Sequence, residues 1–146
     1  MASKSILITQ CVQNDFVKPL GKYDNLPNTL HIGHEESERL MGIDAMQGPL
    51  SKAIIWAYEQ SEDELEIIHI RDWHNPDDPH QMAHLVQFGD HCIQNTDGAE
   101  FAFPENLKER SARVVNASGL NDFINTDLEA VLEPYKNQAV NVGIVG

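Results

Sequence analysis

The stretch "DWHNPDDPHQ" (72–81) places a carboxylate and two imidazoles at offsets that could ligate a metal ion. Asp72 ends a predicted strand and His74 follows two positions later, so an extended chain would direct both side chains to one side. His80 comes after a proline-containing turn, and His91 lies further along the chain. Three imidazoles and one carboxylate suit Zn²⁺, Mn²⁺ or Fe²⁺. The same residues would also fit a polar surface loop that binds nothing.

The remaining histidines give weaker signals. His84, together with Asp90, competes for a place in the same ligand set. His69 alternates with apolar neighbours in a predicted strand, which indicates a hydrogen-bonded histidine in the core or at its rim. His31 and His34 fall in an irregular segment, where surface histidines are expected. Spacing alone therefore leaves both the ligand set and the plain loop open.

Length and charge limit the classes of protein to which this chain could belong. The chain has 146 residues, of which 41% are hydrophobic and 23% charged, which predicts one globular domain. Its formal net charge of −13 argues against nucleic acid or an anionic membrane as the partner. No apolar run approaches the ~20 residues of a membrane span. The two cysteines indicate a reducing compartment, so we predict a cytoplasmic protein. We also predict that its ligand is a small molecule.

Short apolar segments alternate with amphipathic ones along the chain. Strands are predicted over 5–10, 65–72, 111–117 and 139–146, and helices over 48–60 and 123–135. The second helix is expected to direct toward the core the side chains of Phe123, Leu128, Val131 and Leu132. Strands joined by helical or long connections form parallel sheets. The sequence thus predicts an α/β fold with strand order 3-2-1-4, or 2-1-3-4, in which the first strand lies between the second and third.

Two regions depart from regular alternation. Residues 17–48 are irregular, with one or two helical turns expected over 34–42, and so long a connection is typical of a lid or binding surface. The last predicted strand runs to Gly146, although ligand crevices in such sheets lie beyond the strand ends. We therefore expect residues 1–146 to be the N-terminal portion of a single domain, truncated at the C-terminus and carrying an extended insertion or lid.

Three motifs together resemble the isochorismatase-like cysteine hydrolases. "ILITQCVQNDFV" is similar to the opening strand and loop of that superfamily, and "DWHNPDDPH" with "HCIQNTDGAEF" is similar to its nicotinamidase branch. The resemblance runs from about Ser5 to Gly146, apart from the irregular 17–48 segment. It implies a three-layer αβα Rossmann-like fold and a divalent metal ion (Zn, Mn or Fe) that docks the pyridine nitrogen of a substrate. The implied ligands are Asp72, His74, His80 and His91.

The resemblance also implies a catalytic aspartate, lysine and cysteine, and two of these positions differ here. Cys11 stands at the aspartate position, and Asn116 (or Ala117) stands at the lysine position. The nucleophilic cysteine of the family would follow Gly146. A thiol of pKa ~8.5 is a poor base at neutral pH, and an amide carries no charge. We therefore predict a catalytically degenerate domain that binds a divalent metal and a small ligand, with Cys11 and Asn116 near each other.

The alternative is an active hydrolase of an amide or other C–N bond, nicotinamide-like in substrate, with rearranged catalytic residues. Cys11 would be its nucleophile if a cation lay beside the thiol, and is otherwise a small polar filler. Cys92 is expected to pack in the interior, and Asp15 to order its own loop through backbone N–H groups. Members of the family usually associate, so the expected protein partners are further copies of this chain or further domains of a longer chain.

Overall fold

The computed structural model describes residues 3–104, 107 and 110–146. Its sheet is built from runs of aliphatic and β-branched residues, which favour buried, extended backbone. Two strands have the predicted bounds and the other two are shorter than predicted. They are β1 (Ser5–Gln10), β2 (Leu65–Asp72), β3 (Arg113–Ala117) and β4 (Asn141–Val145).

The strands are all parallel and lie in the order β3-β2-β1-β4. The predicted order 3-2-1-4 and the pairing of β1 with β2 are therefore confirmed. The expectation that β3 flanks β1 is wrong, as is the order 2-1-3-4, because Ile68 of β2 pairs with Arg113 while Ser5 of β1 pairs with Asn141. Apolar alternation makes each strand a suitable neighbour for any other, so the pattern does not specify which two strands meet.

Helices surround the sheet on both faces. In the described part of the chain they are α1 (Asn14–Val17), α2 (His34–Met41), α3 (Pro49–Glu59), α4 (Pro79–Phe88) and α5 (Leu128–Leu132). Short 3-10 helices follow at Asp97–Ala99 and Glu133–Tyr135. Among these helices, none is both long enough and apolar enough to cross a membrane.

Two apolar clusters, one on each face, hold the layers together. On one face, Ile54 and Ala57 of α3 pack with Leu7 and Ile67 of the sheet. On the other face, Leu128 of α5 packs against the alternate strand residues. Those residues are Ile6, Ile8, Ile68, Ile70, Val115 and Ala117. Helix, sheet and helix thus form the three predicted layers, and the α/β fold class is confirmed.

The last helix begins later than predicted. The structure has turns before Leu128, and Phe123 is 57% exposed instead of facing the core. The Asn121 side chain accepts a hydrogen bond from the Phe123 N–H, which favours a turn. Asn125 has a φ of 57°, a left-handed conformation that a right-handed helix cannot include. Two asparagines therefore delay the helix that the apolar pattern predicts.

Residues 17–48 pack against the α3 side of the sheet. The turns expected over 34–42 are confirmed as helix α2, and Val17 and Met41 are buried in the α3 cluster. The surface position expected for His31 is wrong, because this residue is 6% exposed and both ring nitrogens hydrogen-bond to backbone groups of the segment. A lid function for this segment stays a prediction.

Candidate metal centre

The segment after β2 contains a helix, α4, where a loop is expected from the sequence. The Asp78 side chain accepts a hydrogen bond of 2.9 Å from the His80 N–H, and Pro79 occupies the first helical position. Both features are typical of a helix start. Gly89 ends the helix with a φ of 79°, which glycine adopts without strain. These signals are visible in the sequence, and the helix decides where His80 and His84 lie.

Four side chains meet beyond the carboxyl ends of β1 and β2: Asp72, His74, His84 and His91. One potential ligand atom from each lies within 4.8 Å of the other three. The Asp72 Oδ2 atom is 3.5 Å from His74 Nε2 and 3.6 Å from His91 Nε2. The three imidazole rings pack together with centroids 4.7 to 5.4 Å apart. The structure therefore brings together three of the four predicted ligands and adds His84.

His80 does not belong to this cluster, which corrects the expected convergence. It is exposed in the first turn of α4, four residues before His84. Residues four apart share a helix face but lie about 6 Å apart along the axis. The helix consequently presents the later imidazole, that of His84, to His74 and His91. Asp90, the other competing candidate, is exposed. Metal ligation by any of these residues stays a prediction.

The hydrogen bonds of two imidazoles fix which ring nitrogen faces the cluster. His91 Nδ1 donates to the Gly89 carbonyl oxygen at 2.7 Å, and His74 Nδ1 lies 3.3 Å from Gln81 Oε1. An imidazole that carries its hydrogen on Nδ1 has a lone pair on Nε2. In their neutral forms, both imidazoles therefore direct an Nε2 lone pair at the Asp72 carboxylate, so acceptor atoms face one another unless a cation or a proton lies between them.

The cluster fits a first-row divalent cation. The Nε2 atoms of His74 and His84 are buried and, among the described residues, have no hydrogen-bond partner. A buried acceptor without a partner costs about 1–3 kcal/mol, and a bound cation would satisfy it. Two ligand atoms about 2.1 Å from a tetrahedral zinc ion lie about 3.4 Å apart. The distances of 3.5 and 3.6 Å between the Asp72 oxygen and two imidazole nitrogens are close to that value, and all four ligand atoms lie within 4.8 Å of one another.

The charges of the cluster also favour a cation. Burial disfavours charge on Asp72, but the adjacent imidazoles of His74 and His91 outweigh burial and hold the pKa of the carboxyl below its usual range. Burial likewise opposes a proton on His91, yet Asp72 and the Gly89 carbonyl raise the pKa of that imidazole. Burial and the neighbouring imidazoles lower the pKa of His84. An ionised carboxylate therefore lies beside His84, whose imidazole stays neutral to a lower pH than a free imidazole does.

The two altered catalytic positions lie at the same edge of the sheet, as expected, but β2 lies between their strands. Two strand spacings amount to about 10 Å. Cys11 Sγ is 3.6 Å from Asp72 Oδ1, on the side of the cluster. Asn116 is exposed, and its Oδ1 accepts a hydrogen bond of 2.7 Å from Arg71 Nε. The expected closeness of Cys11 and Asn116 is not observed.

Neither thiol is poised to ionise near neutral pH. Burial, followed by the charge of Asp72, raises the pKa of Cys11 to about 12. Burial also raises the pKa of Cys92, which is fully buried with its Sγ 3.9 Å from the Gly98 carbonyl oxygen. The packing role expected for Cys92 agrees with this position.

Sequence reasoning missed one carboxylate near Cys11. Asp122 lies in the loop after β3, where its charge acts on both Cys11 and Asp72. Burial raises the pKa of Asp122, while a hydrogen bond from Gln10 lowers it. No motif marks this residue, because its place depends on how the loop after β3 folds back toward β1.

Asp15 orders a distant loop instead of its own. Its Oδ2 accepts a hydrogen bond of 2.7 Å from the Cys92 N–H, 77 residues along the chain. This bond holds the backbone next to His91. A Cβ added at Gly98 would lie 2.2 to 2.4 Å from the carboxyl atoms of Asp15. Glycine at position 98 therefore leaves room for the carboxylate that holds the His91 loop.

Replacing Gly98 by alanine is expected to lower the free energy of unfolding by about 1–3 kcal/mol. The new methyl group would displace the Asp15 carboxylate and leave the Cys92 N–H without its acceptor. Gly119→Ala is the matched control, because nothing lies within 4 Å of its added Cβ. Urea unfolding midpoints of both variants measure the effect, and equal midpoints would contradict the packing of Gly98 on Asp15.

No protein-family model matches the sequence, and no curated protein does. Solved structures do match. An isochorismatase-like hydrolase from Alkaliphilus metalliredigens is 21% identical, with a TM-score of 0.67 over 96% of this chain and 66% of that one.

Two further solved structures are amidases by name. A nicotinamidase/pyrazinamidase from Bacillus subtilis is 19% identical, with a TM-score of 0.64 over 97% of this chain and 70% of that one. A pyrazinamidase of Pyrococcus horikoshii in complex with zinc is 22% identical, with a TM-score of 0.58 over 98% of this chain and 71% of that one. The chain spans about two thirds of the length of these proteins. Its fold is that of the isochorismatase-like hydrolases.

Proposed function

We propose that the chain is a metal-binding domain of the isochorismatase-like fold that binds a divalent ion and a small ligand without hydrolysing it. The observation that carries this proposal is the pair of buried, unpartnered Nε2 atoms of His74 and His84 beside Asp72. The ion would be held by Asp72, His74, His84 and His91. When bound, it would supply a Lewis-acid position for a ring nitrogen of the ligand.

The environment of Cys11 supports the absence of hydrolysis. Its pKa of about 12 keeps the thiol protonated, so the side chain neither accepts a proton nor attacks a carbonyl carbon at neutral pH. Asn116 supplies no positive charge at its strand end. An active hydrolase with Cys11 as a rearranged nucleophile is therefore not favoured.

A cavity that none of the four cluster residues lines, but that shares Gln81 with the surroundings of His74, supports the binding of a small ligand. It has a volume of about 260 Å³, near the lower end for small-molecule sites. Polar side chains from α4 and from the loop after β3 line it, including His80, Gln81, Ser118 and Asn121. Gln81 also contacts His74 of the cluster. A ligand here would be a single polar ring or a molecule of similar size.

Metal analysis of protein purified without chelators is expected to find about one divalent ion per chain, as four converging donors of this type require. The same preparation should release no ammonia from nicotinamide above background, and Cys11→Ser should behave identically. Protein that stays metal-free after incubation with zinc would refute the metal-binding half of the proposal. Ammonia release that depends on Cys11 would refute the other half.

A further inference from the structure

Gln81 is a nearly buried amide on α4, 9% exposed, that makes three hydrogen bonds. Its Oε1 atom lies 3.3 Å from His74 Nδ1 and accepts a bond of 3.0 Å from the Asn75 N–H. Its Nε2 donates to Asp78 Oδ2 at 2.9 Å. Asp78 in turn caps the helix that carries His84. One amide therefore connects the ring of His74 to the start of α4.

These bonds determine which way the amide points. In the opposite orientation, the NH₂ group would face the Asn75 N–H, and the amide oxygen would face the Asp78 carboxylate. Both contacts would be repulsive, so the oxygen must face Asn75 and His74. An acceptor at that place requires a hydrogen on His74 Nδ1. His74 is fully buried, so no solvent molecule competes for this nitrogen.

We propose that Gln81 is a positioning residue that holds His74 in the Nδ1–H tautomer, with the Nε2 lone pair directed at Asp72 and the metal position. The proposal rests on the metal-binding function proposed above. Without this acceptor, the more favourable arrangement of metal-free His74 would carry the hydrogen on Nε2, where Asp72 Oδ2 lies 3.5 Å away. Zinc would then have to displace that hydrogen before it could bind.

Long-range ¹H–¹⁵N correlation spectra of the metal-free protein report the tautomer of each histidine, and the His74→Gln spectrum identifies the His74 signals. Wild type is expected to show His74 as the Nδ1–H tautomer. Gln81→Leu, which removes the acceptor and keeps the size, should shift His74 to the Nε2–H tautomer. Gln81→Glu combined with Asp78→Asn keeps an acceptor oxygen toward His74 and gives the second carboxylate oxygen a donor, so this double variant should restore the Nδ1–H form.

Zinc affinity, measured by competition with a chromophoric chelator, is the second readout. Gln81→Leu should weaken binding about 10–100-fold, as loss of the partner of a ligating imidazole does. Asp78→Ala removes the helix cap but leaves the His74 acceptor, so it should lower the urea midpoint and change zinc affinity less than about threefold. This control separates positioning of His74 from general loosening of α4.

Two results would overturn the inference. One is an unchanged His74 tautomer in Gln81→Leu, and the other is zinc binding by that variant as tight as in wild type. If wild type itself binds no zinc, the proposed function fails, and the tautomer comparison alone still decides the role of Gln81.

Discussion

Replacing His84 by alanine is expected to weaken zinc binding by about 100-fold or more, whereas replacing His80 by alanine should change it less than about threefold. The two histidines lie one turn apart on α4, but only His84 reaches the cluster of Asp72, His74 and His91. Removing even the partner of a ligating imidazole costs about 10–100-fold, so removing a ligand should cost at least as much. His80 is exposed, and its loss should leave the four donors in place.

The pair of variants tests the helix as well as the ligand. Both substitutions replace the same residue type by the best helix former, so α4 itself should be retained in each. Chelator competition gives the zinc affinity, and far-ultraviolet circular dichroism confirms the helix content. If His80→Ala abolishes binding and His84→Ala does not, the ligand set is the one that the resemblance implies, and α4 must begin later than described.

Acidification from about pH 6.5 to pH 4 is expected to destabilise the protein by up to about 3 kcal/mol through His69 alone. This residue is 1% exposed, as its alternation with apolar neighbours predicts. Its Nδ1 lies 2.6 Å from Thr9 Oγ1 and its Nε2 lies 2.7 Å from the Tyr58 hydroxyl. Burial lowers the pKa of His69 from 6.5 to about 4. Each pKa unit by which the folded and unfolded states differ corresponds to about 1.4 kcal/mol in the free energy of unfolding.

The sign follows from the direction of the shift. Because the folded-state pKa lies below the unfolded value, the unfolded chain takes up a proton first as the pH falls. The His69 contribution is therefore complete above about pH 6.5, decreases from there to about pH 4, and changes no further at lower pH.

Urea unfolding of wild type and His69→Gln at intervals from pH 7.5 to 4, with a chelator present, isolates this contribution. The variant should be less stable at pH 7.5 and should lose less stability on acidification than wild type. Thr9→Val is the control, because it removes one hydrogen bond but leaves the titrating ring in the core. It should lower stability while keeping the wild-type pH dependence. Equal pH dependence in His69→Gln and wild type would contradict the buried, neutral imidazole.

The local pattern of apolar and polar residues was sufficient to predict much of the fold. The bounds of β1 and β2 and the parallel, helix-covered sheet follow from short aliphatic runs separated by helical or long connections, because burial on both faces requires such runs. The three-layer arrangement is implied by the resemblance. The convergence of Asp72 with His74 follows from their spacing at a strand end. The position of His91 follows from its motif. These features depend on neighbours in the sequence or on a resemblance that includes them.

Other features depend on contacts between distant segments, which no local pattern contains. The place of β3 beside β2 depends on the pairing of β1 with β4, which occupies the edge of β1 that β3 was expected to join. The partner of Asp15 is Cys92, and Asp122 adds to the charge that Asp72 exerts on Cys11; Cys92 and Asp122 are both far away in sequence from the residues that they affect. Each is decided only when the loops fold onto the carboxyl edge of the sheet.

The choice between His80 and His84 shows most clearly which features depend on local sequence and which depend on tertiary contacts. Asp78 and Pro79 are residue types that indicate a helix start, so the local sequence is sufficient to predict that α4 exists. Which of its two imidazoles reaches His74 and His91 depends on how α4 packs relative to β2, and one turn of helix separates the alternatives. The sequence by itself therefore determined that a histidine and aspartate cluster lies at this edge, and only the tertiary structure decided that its fourth member is His84.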